Sequence, residues 1–150
     1  MRRIAGPAAA LCLVVASADG AGSIRSELEV FGFFGQWALH CDQPASPTNS
    51  RRSVAVTSGG DVIFTESLGL EYPPNVYLVR AVNRTAPNSA VLRIELNGQV
   101  EQDLTMVREG GQLRTVTNRR VADGELVVKD GIIASNGEKT PWLTRCAEQP

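Results

Sequence analysis

Residues that supply most enzyme and metal chemistry are scarce in this chain. Its 150 residues include one histidine, three cysteines, two tryptophans and two tyrosines, and the formal net charge is −1. Without a basic excess to neutralise phosphates, we do not expect nucleic acid to be a partner. His40 has no nucleophile, acid or further metal ligand near it in sequence, and neither a Gly-x-Ser-x-Gly elbow nor a phosphate-binding glycine loop is present. We therefore expect no enzyme activity and no catalytic, cofactor-binding or metal-binding residues.

The first residues have the pattern of an export signal. Arg2-Arg3 precede an apolar stretch from Ile4 to Ala16, and Ala16-Ser17-Ala18 has the small-x-small form of a cleavage site. The stretch is short for a membrane span, and charges or glycines interrupt every later apolar run. We therefore expect a removed signal peptide over residues 1–18, a single domain over residues 19–150, and a secreted or periplasmic protein without an integral membrane span. The alternatives are an uncleaved anchor and a lipoprotein attached at Cys12.

Two cysteines remain once Cys12 leaves with the signal peptide. Cys41 and Cys146 form an even pair in an oxidising compartment, which predicts a disulfide that closes a loop with a sequence separation of 105. The competing interpretation is two free thiols that act as a metal or redox pair. No Cys-x-x-Cys motif supports it.

The body of the chain reads as a series of β-hairpins. Apolar residues alternate with polar ones in Ala90–Leu96 and in Gln99–Arg108, and Asn97-Gly98 between them is a two-residue hairpin turn. Similar turn dipeptides recur along the chain and predict an all-β antiparallel meander of about eight to ten short strands. A short turn of helix is expected at Ser23–Glu29. The remaining predicted strands are one beginning after Gly35, Ser53–Thr57, Asp61–Glu66, Val76–Val82, Gln112–Asn118, Glu125–Lys129, Ile132–Ala134 and Trp142–Cys146.

Closure of the sheet follows from the predicted disulfide. Cys41 lies on the predicted first strand and Cys146 on the predicted last, and a disulfide requires Cα atoms within about 7 Å of each other. A meander whose first and last strands meet has no open edge. We therefore favour a small closed barrel over a β-sandwich, which the same bond also permits.

Two proline-containing segments lack strand character and predict loops at a barrel end. Segment 42–50 contains Pro44 and Pro47, and segment 69–75 contains Tyr72, Pro73 and Pro74. Loops on a rigid scaffold commonly carry binding residues. We therefore expect a binding module, an inhibitor or another partner-binding protein, whose partner is an envelope or extracellular protein. The alternative is a structural or accessory envelope protein without a dedicated ligand.

Two further patterns give weaker functional hypotheses. An enzyme is the third hypothesis, because Glu66 and Glu71 flank Gly69 and could form a carboxylate pair. The basic doublets Arg51-Arg52 and Arg119-Arg120 could bind an anionic partner, although charges at strand ends usually meet water.

Gly35-Gln36-Trp37 resembles the Gly-x-Trp that opens the barrel in calycins, which include lipocalins and small barrel-shaped inhibitors of bacterial envelopes. The resemblance implies a closed barrel in which a last-strand basic residue covers the tryptophan, and Arg145 is at the matching position. The lipocalin Thr-Asp-Tyr motif is absent, so we do not expect a lipocalin-style hydrophobic cavity. The segment Trp37-Ala38-Leu39-His40-Cys41 is also similar to secreted bacterial proteins of the invasion-associated locus B type.

The export signal predicts the mass of the mature protein. Cleavage after Ala18 leaves a chain that begins at Asp19. Intact-mass measurement of the protein from its native host should show this shortened chain. A full-length mass in the envelope fraction would contradict the prediction.

Overall fold

The computed structural model describes residues 20–147, with side chains from Ser23 onward. The predicted signal peptide lies outside these residues. Among the described residues, no helix has the length and apolar character needed to cross a membrane. In chain order, the elements are α1 (Gly20–Phe31), β1 (Gly35–Ala38), β2 (Arg51–Val56), β3 (Val62–Ser67), β4 (Asn75–Ala86), β5 (Ser89–Leu96), β6 (Val100–Glu109), β7 (Gln112–Arg120), β8 (Leu126–Lys129), β9 (Ile132–Ile133) and β10 (Leu143–Cys146).

The strands form one closed antiparallel barrel, which confirms the predicted fold class and is compatible with a calycin-like barrel. Strands β1 to β7 pair in sequence order, and β10 pairs with both β1 and β7. These eight strands close the barrel, and β8 and β9 extend the sheet beyond β7. The short strand β10 therefore connects the first barrel strand to the last, so that neither is left as an open edge.

The β5–β6 hairpin turns at Asn97-Gly98 as predicted, but Leu96 pairs with Val100, so the loop has three residues (97–99) and not the predicted two. Asn97 and Gly98 have φ angles of 49° and 69°, as a type I′ turn requires. Strand alternation turns Leu92, Ile94 and Leu104 into the barrel, where each is at most 5% exposed. These residues, spaced two apart as predicted, therefore form one wall of the apolar core.

Cys41 and Cys146 form the predicted disulfide, with their Cα atoms 5.4 Å apart. The prediction that Cys41 lies on the first strand is wrong, because β1 ends at Ala38 and Cys41 lies in the bend that follows it. The bond joins this bend to the end of β10. It fixes the connection between the first and last strands of the chain.

Helix α1 is longer than the single turn predicted at Ser23–Glu29. It has twelve residues and ends at Phe31. Leu28 and Phe31 are buried on the face that packs on the barrel core. Gly32 follows with φ +72°, and the amide groups of Gly32 and Phe33 donate to the carbonyls of Glu29 and Leu28. This pattern is a Schellman cap, in which glycine takes the left-handed conformation without steric cost.

Trp37 is completely buried and anchors the segment that follows the helix. Its Nε1 donates to the carbonyl oxygen of Phe33 over 2.8 Å. The guanidinium over the indole belongs to Arg108 at the end of β6, with Cζ 5.9 Å from the ring centroid. Arg108 also donates from Nη1 to the carbonyl of Phe31 over 2.6 Å, so that it contacts both the tryptophan and the C-terminus of α1.

Arg145 does not take the position that the calycin resemblance implied. It pairs with Trp37 in the β1–β10 register, but its exposed side chain lies beside Gly35, with Nε 3.1 Å from the point where a Cβ of that glycine would be. Arg108 reaches the indole because β6 ends beside the helix C-terminus, whereas Arg145 is close to the rim. The expected cation therefore comes from a different strand.

These two arginines provide a matched test of how this barrel end is sealed. Arg108→Met should lower the free energy of unfolding by about 2 kcal/mol, because it removes a hydrogen bond to a helix carbonyl and the cation over Trp37. Arg145→Met should cost less than about 0.5 kcal/mol, as expected for an exposed side chain. Urea unfolding of both variants measures the difference. Equal losses would contradict the sealing role of Arg108.

Candidate binding site at the loop end of the barrel

The two ends of the barrel are different. At one end, which we call the helix end, β1 begins, β4 and β6 finish, and α1 packs. At the other, the loop end, β3 and β5 finish and β4 and β6 begin, so segments 39–50, 68–74 and 121–125 gather there. An ion pair between Glu27 of α1 and Arg84 of β4, at 2.6 Å, also lies at the helix end. Among the described residues, α1 therefore covers the helix end, and no helix covers the loop end.

The structure brings the two predicted binding loops together. Gly69 lies against segment 42–50, and a Cβ at this glycine would be 3.0 Å from the carbonyl oxygen of Ala45. Its φ of +108° also disfavours other residues. The two loops enclose a cleft of about 200 Å³, which we call the loop cleft. It is lined by Ala45, Ser46, Pro47, Leu68, Gly69, Leu70, Glu71 and Tyr72.

Exposed apolar side chains concentrate around this end. Leu70 is fully exposed and Tyr72 is 48% exposed. Of the seven large apolar side chains exposed in the described part of the chain, six lie at the loop end, and Val30 of α1 is the exception. The other four at the loop end are Leu39, Val76, Val121 and Leu126. The candidate residues Pro44, Pro47, Pro73 and Pro74 are exposed in the same loops.

Asn49 holds segment 42–50 in a defined conformation. Its buried side chain donates to the carbonyls of His40 and Pro44, each over 3.1 Å, and accepts from the amide of His40. Arg51 adds bonds to the carbonyls of Cys41 and Gln43. The loop is therefore preorganised, which lowers the entropy lost when a loop binds a partner.

Inside the loop end, a charged pair lies among polar side chains. Arg52 of β2 donates from Nε to Glu66 Oε1 of β3 over 3.0 Å. Tyr77 and Asn75 of β4 donate to the other carboxylate oxygen, at 3.2 Å and 3.4 Å. Arg52 and Glu66 share the inward face with Val54 and Phe64, because residues two apart on a strand point to the same side.

The environment of Glu66 lowers its pKa. Burial alone raises the pKa, but the charge of Arg52 and the hydrogen bonds from Arg52, Asn75 and Tyr77 outweigh burial. Burial and the adjacent carboxylate raise the pKa of Tyr77. At neutral pH Glu66 is therefore a carboxylate that accepts hydrogen bonds from Arg52, Asn75 and a protonated Tyr77.

A β-bulge brings Asn118 into the same interior. In the β6–β7 register, Thr105 pairs with Thr117 but Met106 pairs with Thr115, so β7 contains one extra residue. Beyond the bulge Asn118 lies opposite Leu104, which is buried in the barrel. Its Nδ2 donates to Gln102 Oε1 over 3.3 Å. The bulge therefore turns Asn118 toward the interior, where strict alternation from Leu113 would not place it.

The basic doublets do not form a common free patch. Arg51 binds backbone carbonyls of the loop, and Arg52 binds Glu66. Arg119 pairs with Asp103 at 3.0 Å, and Arg120 pairs with Asp123 and Glu125. Each of the four arginines has an acceptor within the chain and the two doublets bind different groups, so they do not form the shared patch that the anion-binding hypothesis requires. Glu71, the other member of the suggested carboxylate pair, is exposed in the loop cleft and takes no part in the Glu66 network.

The interior polar residues were missed as a group by sequence reasoning. The sequence pattern suggests Glu66 only as a partner for Glu71, and Arg52 only as a surface charge at a strand end. Strand alternation could have identified both residues as facing inward. Arg52 precedes Val54 and Val56 at even spacing, and Glu66 follows Val62 and Phe64 in the same way.

The chain matches no protein-family model. No curated protein and no solved structure is significantly similar to it.

The Glu66 environment predicts how acid affects stability. Because the folded state lowers the pKa of Glu66 below its ordinary value of 4.5, the carboxylate stabilises the fold above that pH, and the contribution is lost as the pH falls through the lower folded value. Glu66→Gln should therefore be less stable than wild type by roughly 1–3 kcal/mol at pH 7, with a smaller difference at about pH 3. Urea unfolding at both pH values measures this. A difference independent of pH would contradict the ionic role of Glu66.

Proposed function

We propose that this chain is an exported binding module that engages a partner protein through the loop end of its barrel. The observation that carries the proposal is the concentration of exposed apolar side chains around that end, against one at the helix end. Exposed apolar residues clustered at one place are typical of protein interaction sites. The paired cysteines agree with export to an oxidising compartment such as the periplasm.

The loop cleft supplies the center of the proposed interface. Its volume of about 200 Å³ suits one apolar side chain of a partner. Leu70 and Tyr72 flank Glu71, whose exposed carboxylate belongs to none of the described ion pairs. A partner that presents an apolar side chain beside a lysine or arginine would complement both features. Tyrosine is also among the residues that most often dominate interface energies.

The test compares apolar residues from the two barrel ends. The wild type, Leu70→Ser/Tyr72→Ser and Val30→Ser proteins are used to capture partners from envelope extracts of the producing organism. Wild type and Val30→Ser should retain the same protein, and the double variant should lose it. With that partner purified, the double variant should bind at least tenfold more weakly in titration calorimetry.

Two results would count against the proposal. One is unchanged binding by Leu70→Ser/Tyr72→Ser. The other is an equal loss in Val30→Ser, which would place the interface elsewhere or show that exposed apolar residues bind without specificity. Circular dichroism and urea unfolding verify that all three proteins are folded to the same extent.

A further inference from the structure

A second cavity, which we call the barrel mouth, lies at the loop end between barrel strands β2, β3, β7 and β10 and the β8–β9 extension, beside the loop cleft. It has a volume of about 350 Å³, within the range of small-molecule sites. One wall is apolar and includes Val128, Ile133 and Leu143, and the polar lining includes Arg52, Glu66 and Asn118. The cavity therefore combines an apolar surface with several hydrogen-bonding groups, as ligand pockets do.

Arg52 brings unused hydrogen-bond donors to this cavity. A guanidinium has five N–H groups, and in Arg52 only the Nε–H group has an acceptor among the described residues. The Arg52 side chain is only 23% exposed, and Glu66 holds it in place. The remaining donors therefore belong to a guanidinium that is already positioned on the cavity lining.

Glu66 brings an acceptor to the same cavity. Among the described residues its Oε1 atom accepts only from Arg52, and a carboxylate oxygen has room for a second hydrogen bond. The lining thus offers donors at Arg52 and an acceptor at Glu66.

The charges of the lining favour a neutral ligand. Arg52 and Glu66 neutralise each other, so the pair provides no net charge for an anion or a cation. Hydroxyl groups both donate and accept, and therefore complement Arg52 and Glu66 without any charge. A volume of about 350 Å³ is at the small end of the range of ligand sites, which suits a single sugar ring.

We propose that the barrel mouth binds a neutral sugar ring, with its hydroxyl groups at Arg52 and Glu66 and a C–H face on the wall that includes Ile133. The ring is either a free monosaccharide or the terminal unit of a glycan. This inference goes beyond the protein-binding role and does not depend on it, because Leu70 and Tyr72 do not line this cavity.

The test is titration of the purified protein with D-glucose, D-galactose, D-mannose and myo-inositol, followed by ¹H–¹⁵N NMR. At least one should bind saturably and shift the amide signals of Arg52, Asn118 and Ile133. Arg52→Gln/Glu66→Gln removes the pair without leaving an unpaired charge and should weaken binding at least tenfold. Arg80→Gln/Glu95→Gln is the matched control, because it alters an Arg–Glu pair on the outer face at 2.7 Å and should bind as wild type does.

Further titrations distinguish the two ligand sources and test the competing explanations. Methyl glycosides that bind as tightly as the free sugar indicate a glycan end, and much weaker binding indicates a free monosaccharide; both results support the site. Leu70→Ser/Tyr72→Ser should keep sugar binding. The proposal would be overturned if no neutral ring bound, if glucuronate bound more tightly than glucose, or if the shifted signals lay outside the barrel mouth. The wild-type NMR map decides the matter even if the Arg52 variant does not fold.

Discussion

The pairing of β10 with both β1 and β7 is the constraint on which the rest of this structure depends. Strand β10 has only four residues, yet it closes a sheet that would otherwise have two open edges. The disulfide between Cys41 and Cys146 supports the closure by joining the bend after β1 to the end of β10. Because the sheet is closed, it has an interior with two ends, and these ends can take different roles.

Those roles follow from which side chains face inward at each end. At the helix end, Trp37 and Arg108 bind carbonyls at and just beyond the end of α1, and the apolar face of the helix completes the core. At the loop end, the inward positions of β2 and β3 change from apolar residues to Arg52 and Glu66. The helix end is sealed, whereas polar groups face inward at the loop end. This difference is the physical reason to expect binding at the loop end.

The local pattern of the sequence predicted much of this architecture. Turn dipeptides and alternation predicted the β5–β6 hairpin, and the two cysteines predicted closure. The cation over Trp37 was assigned wrongly, because the choice between Arg145 and Arg108 depends on where β6 ends relative to a helix far away in sequence. Asn118 could not be placed either, since the bulge in β7 shifts its register. Loops 42–50 and 69–75 were identified singly, but their contact at Gly69 depends on the closed barrel.

Residue-resolved amide hydrogen exchange of the unliganded protein most directly tests whether the sheet is closed and whether the two ends of the barrel differ. We expect the amides that join β10 to β1 and to β7 to exchange as slowly as those of the central β5–β6 pair. Segments 42–50 and 68–74 should exchange much faster. If the β10 amides exchanged as fast as those loops, the sheet would be open between β1 and β7. A closed barrel with a sealed end and a binding end would then be contradicted.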